Sequence, residues 1–317
     1  MNFGQNAKLI NLVRLSGGAS QETWSFDVAM DDDAIHELIL RRVPGGSIEG
    51  RNSSALPLSV EASLLKLAAK ESVPAPKVVS VFEPNSDIGE SFVMERVAGE
   101  TIARKILRDE VYDTARNKLT QDCAIALAKT HATPLSELPN LNVSNGIQQL
   151  EHYEGVFRGF EIDRPVFEFA IKWLKENAPP PRSDVLVHGD FRLGNLIVDS
   201  NGLAAVLDWE LAHIGDPRED IAWMCVNSWR FGQSENRVGG FGQLTEFLDI
   251  YAEQSGLRFE EAEIDWWEAL GSLKWGIMCM IMYESYRTKA SPTVERAAIG
   301  RRVSETEIDL LNIISRS

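Results

Sequence analysis

Up to about residue 95 the chain alternates, and beyond it the period becomes helical. In "ETWSFDVAM" (Glu22–Met30) and "AIHELILRRV" (Ala34–Val43), apolar and polar residues alternate as in half-buried strands, with Asp31–Asp33 as the turn between them. A weaker run, "AKLINLVRL", precedes them. "KVVSVFEP" and "ESFVMERV" follow later, joined by the turn "NSDIG". A Gly/Pro/Ser-rich loop from Pro44 to about Pro57 leads into "SVEASLLKLAAKE" (Ser59–Glu71), whose apolar residues recur at helical spacing behind a serine. The order strand, strand, strand, helix, strand, strand predicts a small antiparallel sheet with one helix.

Past Gly99 the pattern predicts a mostly helical second part. "VYDTARNKLTQDCAIALAKTHA" reads as a long helix, and "VFEFAIKWLKENA" as another, stopped by Pro179–Pro181. Short strands follow in "VLVHGDFRLGNLIVDSNGLAAVLDWE" (Val185–Glu210). The segments "DPREDIAWMCVNSW", "GQLTEFLDIYAEQSG", "EIDWWEALGSLKWGIMCMIMYESYRT" and "TVERAAIGRRVSETEIDLLNIIS" then read as helical. The expectation is an α+β chain of two lobes, 1–97 and 98–317, which also suits a length of 317 residues.

Composition adds exclusions. At 44% hydrophobic and 25% charged the chain reads as globular. A net charge of −15, carried mainly beyond residue 95, argues against nucleic acid or an anionic membrane as partner. The apolar run "WGIMCMIMY" is too short to span a bilayer, and the N-terminal residues lack the apolar core of a signal peptide. Cys123, Cys225 and Cys279 are scattered, without a zinc or disulfide pattern, so a reducing, cytoplasmic setting is expected.

The stretch Val185–Glu210 carries the chemistry. Asp190 follows the apolar "VLVHG", and Asn195 comes five residues later. "NLIV" turns at Asp199–Gly202, and "LAAVL" returns to end at Asp208, thirteen residues after Asn195. Acids and an amide at the ends of apolar strands are poor strand formers, and a hairpin gathers them at one edge. Two oxygen ligands suit Mg²⁺, which takes carboxylate and amide oxygens and leaves the rest to water and phosphate. A third carboxylate can hold an attacking hydroxyl and receive its proton. In "GDPREDIAW", Asp216 reads as the cap of a helix with Pro217 at its first position, and Asp220 as a brace for the Asp190 segment. His131, ending the long helix, reads as a favourable charge on the helix dipole.

"HGDFRLGN" and "LDWE…GDP" resemble the catalytic segments of the aminoglycoside phosphotransferase and choline kinase family, and "LRR" with "DWE…GDP…DIAW" resembles most closely the phosphotransferase domains joined to acyl-CoA dehydrogenases. The resemblance implies a protein-kinase-like fold: a small sheet-and-helix N-lobe for the nucleotide and a mostly helical C-lobe for catalysis and the acceptor. It implies Asp190 as the catalytic residue, Asn195 and Asp208 as magnesium ligands, His188 as structural support, and ATP with Mg²⁺ as cofactors. Alternation puts Arg41 and Arg42 on opposite faces of their strand. The resemblance selects Arg41 for the phosphates, with Glu61 as its partner. It also raises the glycine loop around Ser16, Gly17, Gly18 and Ser20 as a phosphate cradle, and Glu95 to Val97 as the main-chain contact for adenine. Met94 lines the nucleotide site or fills core.

The implied reaction moves the γ-phosphate of MgATP to a hydroxyl of a small metabolite, such as a hydroxyacyl-CoA. The competing readings are an aminoglycoside-type antibiotic kinase and a non-catalytic nucleotide-binding pseudoenzyme. Glu210, two residues after Asp208, and the arginines Arg296, Arg301 and Arg302 are further candidates for substrate contact. Trp266, Trp267 and Trp275 read as core or acceptor wall.

Overall fold

A computed structural model of the chain describes residues 7–15, 21–30, 34–44 and 55–316. Five strands, β1 (Lys8–Arg14), β2 (Glu22–Ala29), β3 (Ile35–Arg42), β4 (Val78–Phe82) and β5 (Ser91–Glu95), form an antiparallel sheet in the order β1-β2-β3-β5-β4. The alternation that predicts the strands also sorts their faces. Phe26, Val28, Leu38, Leu40 and Val93 gather in one cluster. The register sets Ile39 opposite Met94 and Arg41 opposite Phe92, so these residues share the other face. Helix α1 (Leu58–Lys70) packs against β4 and β5.

Helix α1 starts earlier than its serine indicates. Ser59 lies inside the helix, and the Glu90 carboxylate accepts the Leu58 N–H at 2.9 Å in place of a local cap. At the sheet edge, β1 is exposed along its length. A bulge between Ile10 and Val13, and an Asn11 amide that donates to Asp27 at 2.7 Å, interrupt the regular ladder there.

After the sheet come α2 (Ala103–Arg108), α3 (Asp113–His131), α4 (Gly146–Arg158) and α5 (Pro165–Glu176). Strands β6 (Val185–Val187), β7 (Leu196–Val198), β8 (Leu203–Val206) and β9 (His213–Gly215) follow. The chain closes with α6 (Arg218–Cys225), α7 (Leu244–Ser255), α8 (Glu261–Arg287), α9 (Val294–Gly300) and α10 (Val303–Arg316). Two compact units result. One holds the sheet and the chain up to Lys118, with Ala132–Leu141 and Gly194–Ala212. The other holds Leu119–His131, Asn142–Leu193 and the chain from His213 onward.

In the helical unit α8 is the spine, buried from Ile264 to Met280 at most positions, with α4, α5, α6, α9 and α10 packed on it. Gly271 permits the closest of these approaches to matter for the site: a Cβ there would stand 2.9 Å from Val226 Cγ2 and 3.3 Å from Trp223 Cε3. None of the described helices is long and apolar enough to cross a membrane.

Departures from the sequence pattern are of three kinds. Helices α2 and α4 lie where the periodicity was too short or too broken by glycine to register. The C-terminal segment, read as one helix, is two, α9 and α10, divided at Arg301–Arg302. Strand β9 is the third, three residues paired with β6 rather than part of a loop.

Candidate active site

The sheet unit assembles a charged cluster around Arg41. From the face of β3 that α1 covers, its guanidinium reaches Glu61 at 3.3 Å, Asp208 at 2.8 Å and Glu210 at 3.9 Å. Arg42 pairs instead with Glu22, directly across the β2–β3 register, at 2.6 Å. The geometry therefore separates the two arginines as alternation predicts. Burial works against the Arg41 charge, but Glu61, Asp208 and Glu210 outweigh it and its pKa rises. Glu61 is fully buried on α1. Burial pushes its carboxyl up, against the pull of Arg41 and with help from Asp208 and Glu210, to about 7.

Asn195 and Asp208 are brought together by a hairpin. Strands β7 and β8 pair, with the turn closed by Asp199, whose carboxylate accepts the N–H groups of Asn201 at 2.6 Å and Gly202 at 3.0 Å. At the open end the Leu207 N–H donates to the Asn195 carbonyl at 2.8 Å. Asn195 is buried, and Asp208 keeps 28% of its side chain exposed. Asp208 also adopts a left-handed backbone, φ 66° and ψ 62°. Such a conformation costs a non-glycine residue roughly 1–3 kcal/mol and persists where the surroundings fix it. Here it ends β8 abruptly and leaves the carboxylate on Arg41. An amide and a carboxylate at the same end of one hairpin, the carboxylate partly exposed, are ligand types that suit Mg²⁺.

The Asp190 segment is built in the helical unit. Strand β6 ends at Val187, and Gly189 turns the chain with φ 83°, a conformation glycine adopts without strain. The buried Asp220 of α6 clamps this turn from beneath: its carboxylate accepts the His188 N–H at 2.7 Å and the Gly189 N–H at 2.9 Å. Burial alone would raise the Asp220 carboxyl, but His131, His188 and the amide hydrogen bond hold it below its ordinary value. His188 is itself buried, and its Nδ1 accepts the Asp190 N–H at 3.2 Å, in keeping with structural support.

His131 belongs to this clamp and is not a surface charge on a helix end. It is buried, with Nε2 at 3.1 Å from Asp220 and Nδ1 at 2.8 Å from the Tyr251 hydroxyl. Because the ionised Asp220 only accepts, Nε2 carries the proton of that bond. Asp216 also behaves as expected. Pro217 already has helical dihedrals, φ −60° and ψ −25°, and Asp216 accepts the Arg218 N–H at 3.0 Å, so it caps α6 in effect.

The Asp190 carboxylate itself accepts three donors: Arg192 Nε at 2.8 Å, Arg192 Nη2 at 3.2 Å and Trp223 Nε1 at 2.6 Å. Neither Arg192 nor Trp223 emerged from the sequence as a site residue. A charge two positions after Asp190 was a usable signal for Arg192, whereas Trp223 sits 33 residues away in the chain. The Glu95 N–H is committed to Lys77 O at 2.9 Å, and Val97 is half-buried beyond it. Met94 is buried. Ser16, Gly17, Gly18 and Ser20 lie outside the described residues. Trp266 is core, donating to Leu174 O at 2.9 Å, and Trp267 is buried beside it. Arg296 meets Ser285 at 3.2 Å, while Arg302 pairs with Glu305 at 3.0 Å and lies over the Trp275 ring.

The sequence profile of the phosphotransferase enzyme family, APH, matches residues 11–267. The chain belongs to that family. Phosphotransferase family membership agrees with the structural comparison. A Ralstonia eutropha protein, itself only provisionally assigned as an aminoglycoside phosphotransferase, superimposes with a TM-score of 0.74 at 18% identity, covering 99% of this chain and 94% of that one. The GDP complex of aminoglycoside 2'-phosphotransferase-IIIa gives 0.67 at 13% identity over 95% and 94% of the two chains. At these identities the likeness establishes the fold, which is kinase-like. Among curated proteins, acyl-CoA dehydrogenase family member 10 of Mus musculus is 31% identical over 227 residues, and family member 11 of Pongo abelii 28% over 276. These matches take in 68% and 78% of this chain but only 20% and 33% of those longer proteins.

Proposed function

We propose that this phosphotransferase family member uses MgATP and moves the γ-phosphate to a hydroxyl of a small metabolite. The observation that carries the reading is the pairing of the half-buried Arg41 with both Glu61 and Asp208, at 3.3 and 2.8 Å. This is the basic-residue and helix-glutamate pair that kinase-type phosphate binding requires, with the proposed metal ligand attached. Residues 1–97 carry the nucleotide-binding elements in this reading, and residues 98–317 the catalytic and acceptor-binding ones. Binding of related structures to GDP and to AMP-PNP supports a nucleotide here.

Each residue has a defined task. Asn195 and Asp208 would hold Mg²⁺, which would supply neutralising charge to the nucleotide phosphates. Arg41 takes the α- and β-phosphates, where its planar fork allows bidentate contact, and Glu61 keeps it aimed. The Glu95 carbonyl and the Val97 main chain meet adenine, and Ser16, Gly17, Gly18 and Ser20 are assigned to the phosphates from the sequence alone. Asp190 accepts a hydrogen bond from the acceptor hydroxyl, orients it in line with the γ-phosphorus and takes its proton late in transfer. The phosphorus–oxygen bond to the acceptor forms as the bond to ADP breaks, leaving a phosphate ester. Catalysis is mostly positioning and charge stabilisation, which explains the effort spent in clamping the Asp190 turn.

For the acceptor we favour a hydroxyacyl-CoA or a similar hydroxylated metabolite, because the curated relatives are named as acyl-CoA dehydrogenases. The second reading is an aminoglycoside. It is favoured by neighbours crystallised with kanamycin and hygromycin B. A cytoplasmic location completes the proposal, since Cys123, Cys225 and Cys279 are buried free thiols. Mass spectrometry for phosphate esters, with hydroxyacyl-CoAs, aminoglycosides and a serine peptide incubated side by side with MgATP, tests the reading. A metabolite ester is expected. Transfer to the peptide alone, or no magnesium-dependent turnover with any acceptor, would overturn it, the latter in favour of a nucleotide-binding pseudoenzyme.

A further inference from the structure

Beside Asp190 the helical unit holds three tryptophans, Trp223, Trp229 and Trp275, all buried and stacked in sequence, with ring centroids 5.4 Å and 4.8 Å apart. Two cations face this stack near the carboxylate. Arg192 lies over Trp229 at 4.3 Å while it holds Asp190, and Lys274 of α8 lies over Trp223 at 5.3 Å. Trp223 joins Lys274 to Asp190: its ring faces the ammonium and its N–H donates to the carboxylate at 2.6 Å. The ammonium and the proposed base are thus separated by a single indole.

Lys274 is under-used by the protein. Its side chain is only 13% exposed, and its Nζ forms a long ion pair with Glu219 Oε1 at 3.6 Å. Glu219 is already shared, accepting Gln149 Nε2 at 2.6 Å and lying 3.1 Å from His213 Nε2. The rings of Trp223 and Tyr153 attract the cation but fill none of its N–H groups. Burial opposes the charge, yet Tyr153, Glu219 and Asp190 together keep Lys274 protonated, with a raised pKa. A largely buried ammonium whose ion pair is long gains from a ligand that supplies a closer acceptor. The indole N–H groups of Trp229 and Trp275 add to the imbalance, since both are buried and neither meets an acceptor among the described residues. The surroundings of Asp190 are therefore rich in donors and short of acceptors.

We propose that Lys274, with Arg192 and the Trp223 face, forms an acceptor subsite for an anion carried on the same molecule as the reacting hydroxyl, about one indole's length away. Among the hydroxylated metabolites proposed above, the subsite selects a free hydroxylated carboxylate or phosphate over an uncharged thioester, and a polycation is disfavoured because it would meet Lys274 and Arg192 with like charge. This rests on the reading of Asp190 as the residue that receives the acceptor hydroxyl.

Tryptophan fluorescence titration of the full chain, without nucleotide, tests the subsite independently of phosphoryl transfer. The probes are 3-hydroxybutyrate, its uncharged amide, 4-amino-2-butanol and glycerol 3-phosphate. The carboxylate and phosphate probes are expected to bind about tenfold or more tightly than the amide, and the amine more weakly still. Which of the two anions binds better identifies the natural group. Lys274→Met is expected to abolish the preference for the anion and Lys274→Arg to keep most of it, with melting curves recorded to separate a damaged fold. Equal binding of amide and carboxylate, a preference that survives Lys274→Met in a folded protein, or no binding of either anion would overturn the proposal. An anion preference in a protein that turns over no MgATP would leave the subsite standing and remove the kinase reading instead.

Discussion

At the scale of single residues, the proposed catalytic set was legible because it is contiguous. Asp190, Asn195 and Asp208 fall within one stretch, and their polarity clashes with the apolar runs around them. Their partners were not legible. Trp223 reaches Asp190 directly, and His131 and Lys274 stand behind Asp220 and Trp223, from three different helices, and nothing in their local sequence distinguishes them from core. Glu61 gives the sharpest test at this scale. Its folded-state carboxyl is pushed up to about 7 from an ordinary value of about 4.5. Between those values the native state keeps a proton that the unfolded chain has lost, so native stability falls as pH rises through this window. Glu61→Gln, which stays neutral, lacks that dependence. Paired thermal melts from pH 4 to 8 are expected to show wild type losing stability relative to Glu61→Gln up to about pH 7 and holding level above it. Trp223→Phe keeps the ring but removes the hydrogen bond to Asp190. With kinetics as the readout, it is expected to lower kcat more than it raises KM, by about 1.5–3 kcal/mol of transition-state stabilisation, the usual worth of a hydrogen bond to a charged group.

At the scale of elements, the sheet and its helix followed from alternation and helical spacing. The misses have separate physical causes. Helix α4 contains Gly146 and Gly155, which dilute its apolar pattern, yet its N-terminus is fixed by a reciprocal capping box between Asn145 and Gln148 that the sequence does contain. Asn145→Ala is expected to cost about 1 kcal/mol in a denaturant melt. Strand β9 is too short for any periodicity, and its existence depends on the partner strand β6. The clamp of α6 on the Asp190 turn is the most consequential element-level contact. Asp220→Ala removes the acceptor for two backbone N–H groups and for His131 in a buried site. It is expected to destabilise the fold by roughly 3 kcal/mol or more, measured by urea denaturation. A loss under about 1 kcal/mol would show that the turn holds without it.

At the scale of the whole molecule, the two compact units carry different parts of the proposed chemistry: the phosphate-binding arginine with Asn195 and Asp208 in one, and Asp190 with its tryptophan wall in the other. The charge balance fits neither extreme of acceptor. A net −15 belongs to the molecule as a whole, whereas the side chains next to Asp190 include Arg192 and Lys274. Local charge decides recognition at short range, so overall acidity does not point to a cationic acceptor. The central claim is that Asp190 serves transfer of phosphate to a hydroxyl. The direct test follows γ-labelled phosphate from MgATP into an ester product, in wild type and in Asp190→Asn, together with the MgATP dissociation constant of each. That role predicts ester formation by wild type, a fall of about 10²–10⁴-fold in Asp190→Asn, and MgATP binding retained in both. Undiminished transfer by Asp190→Asn would contradict it.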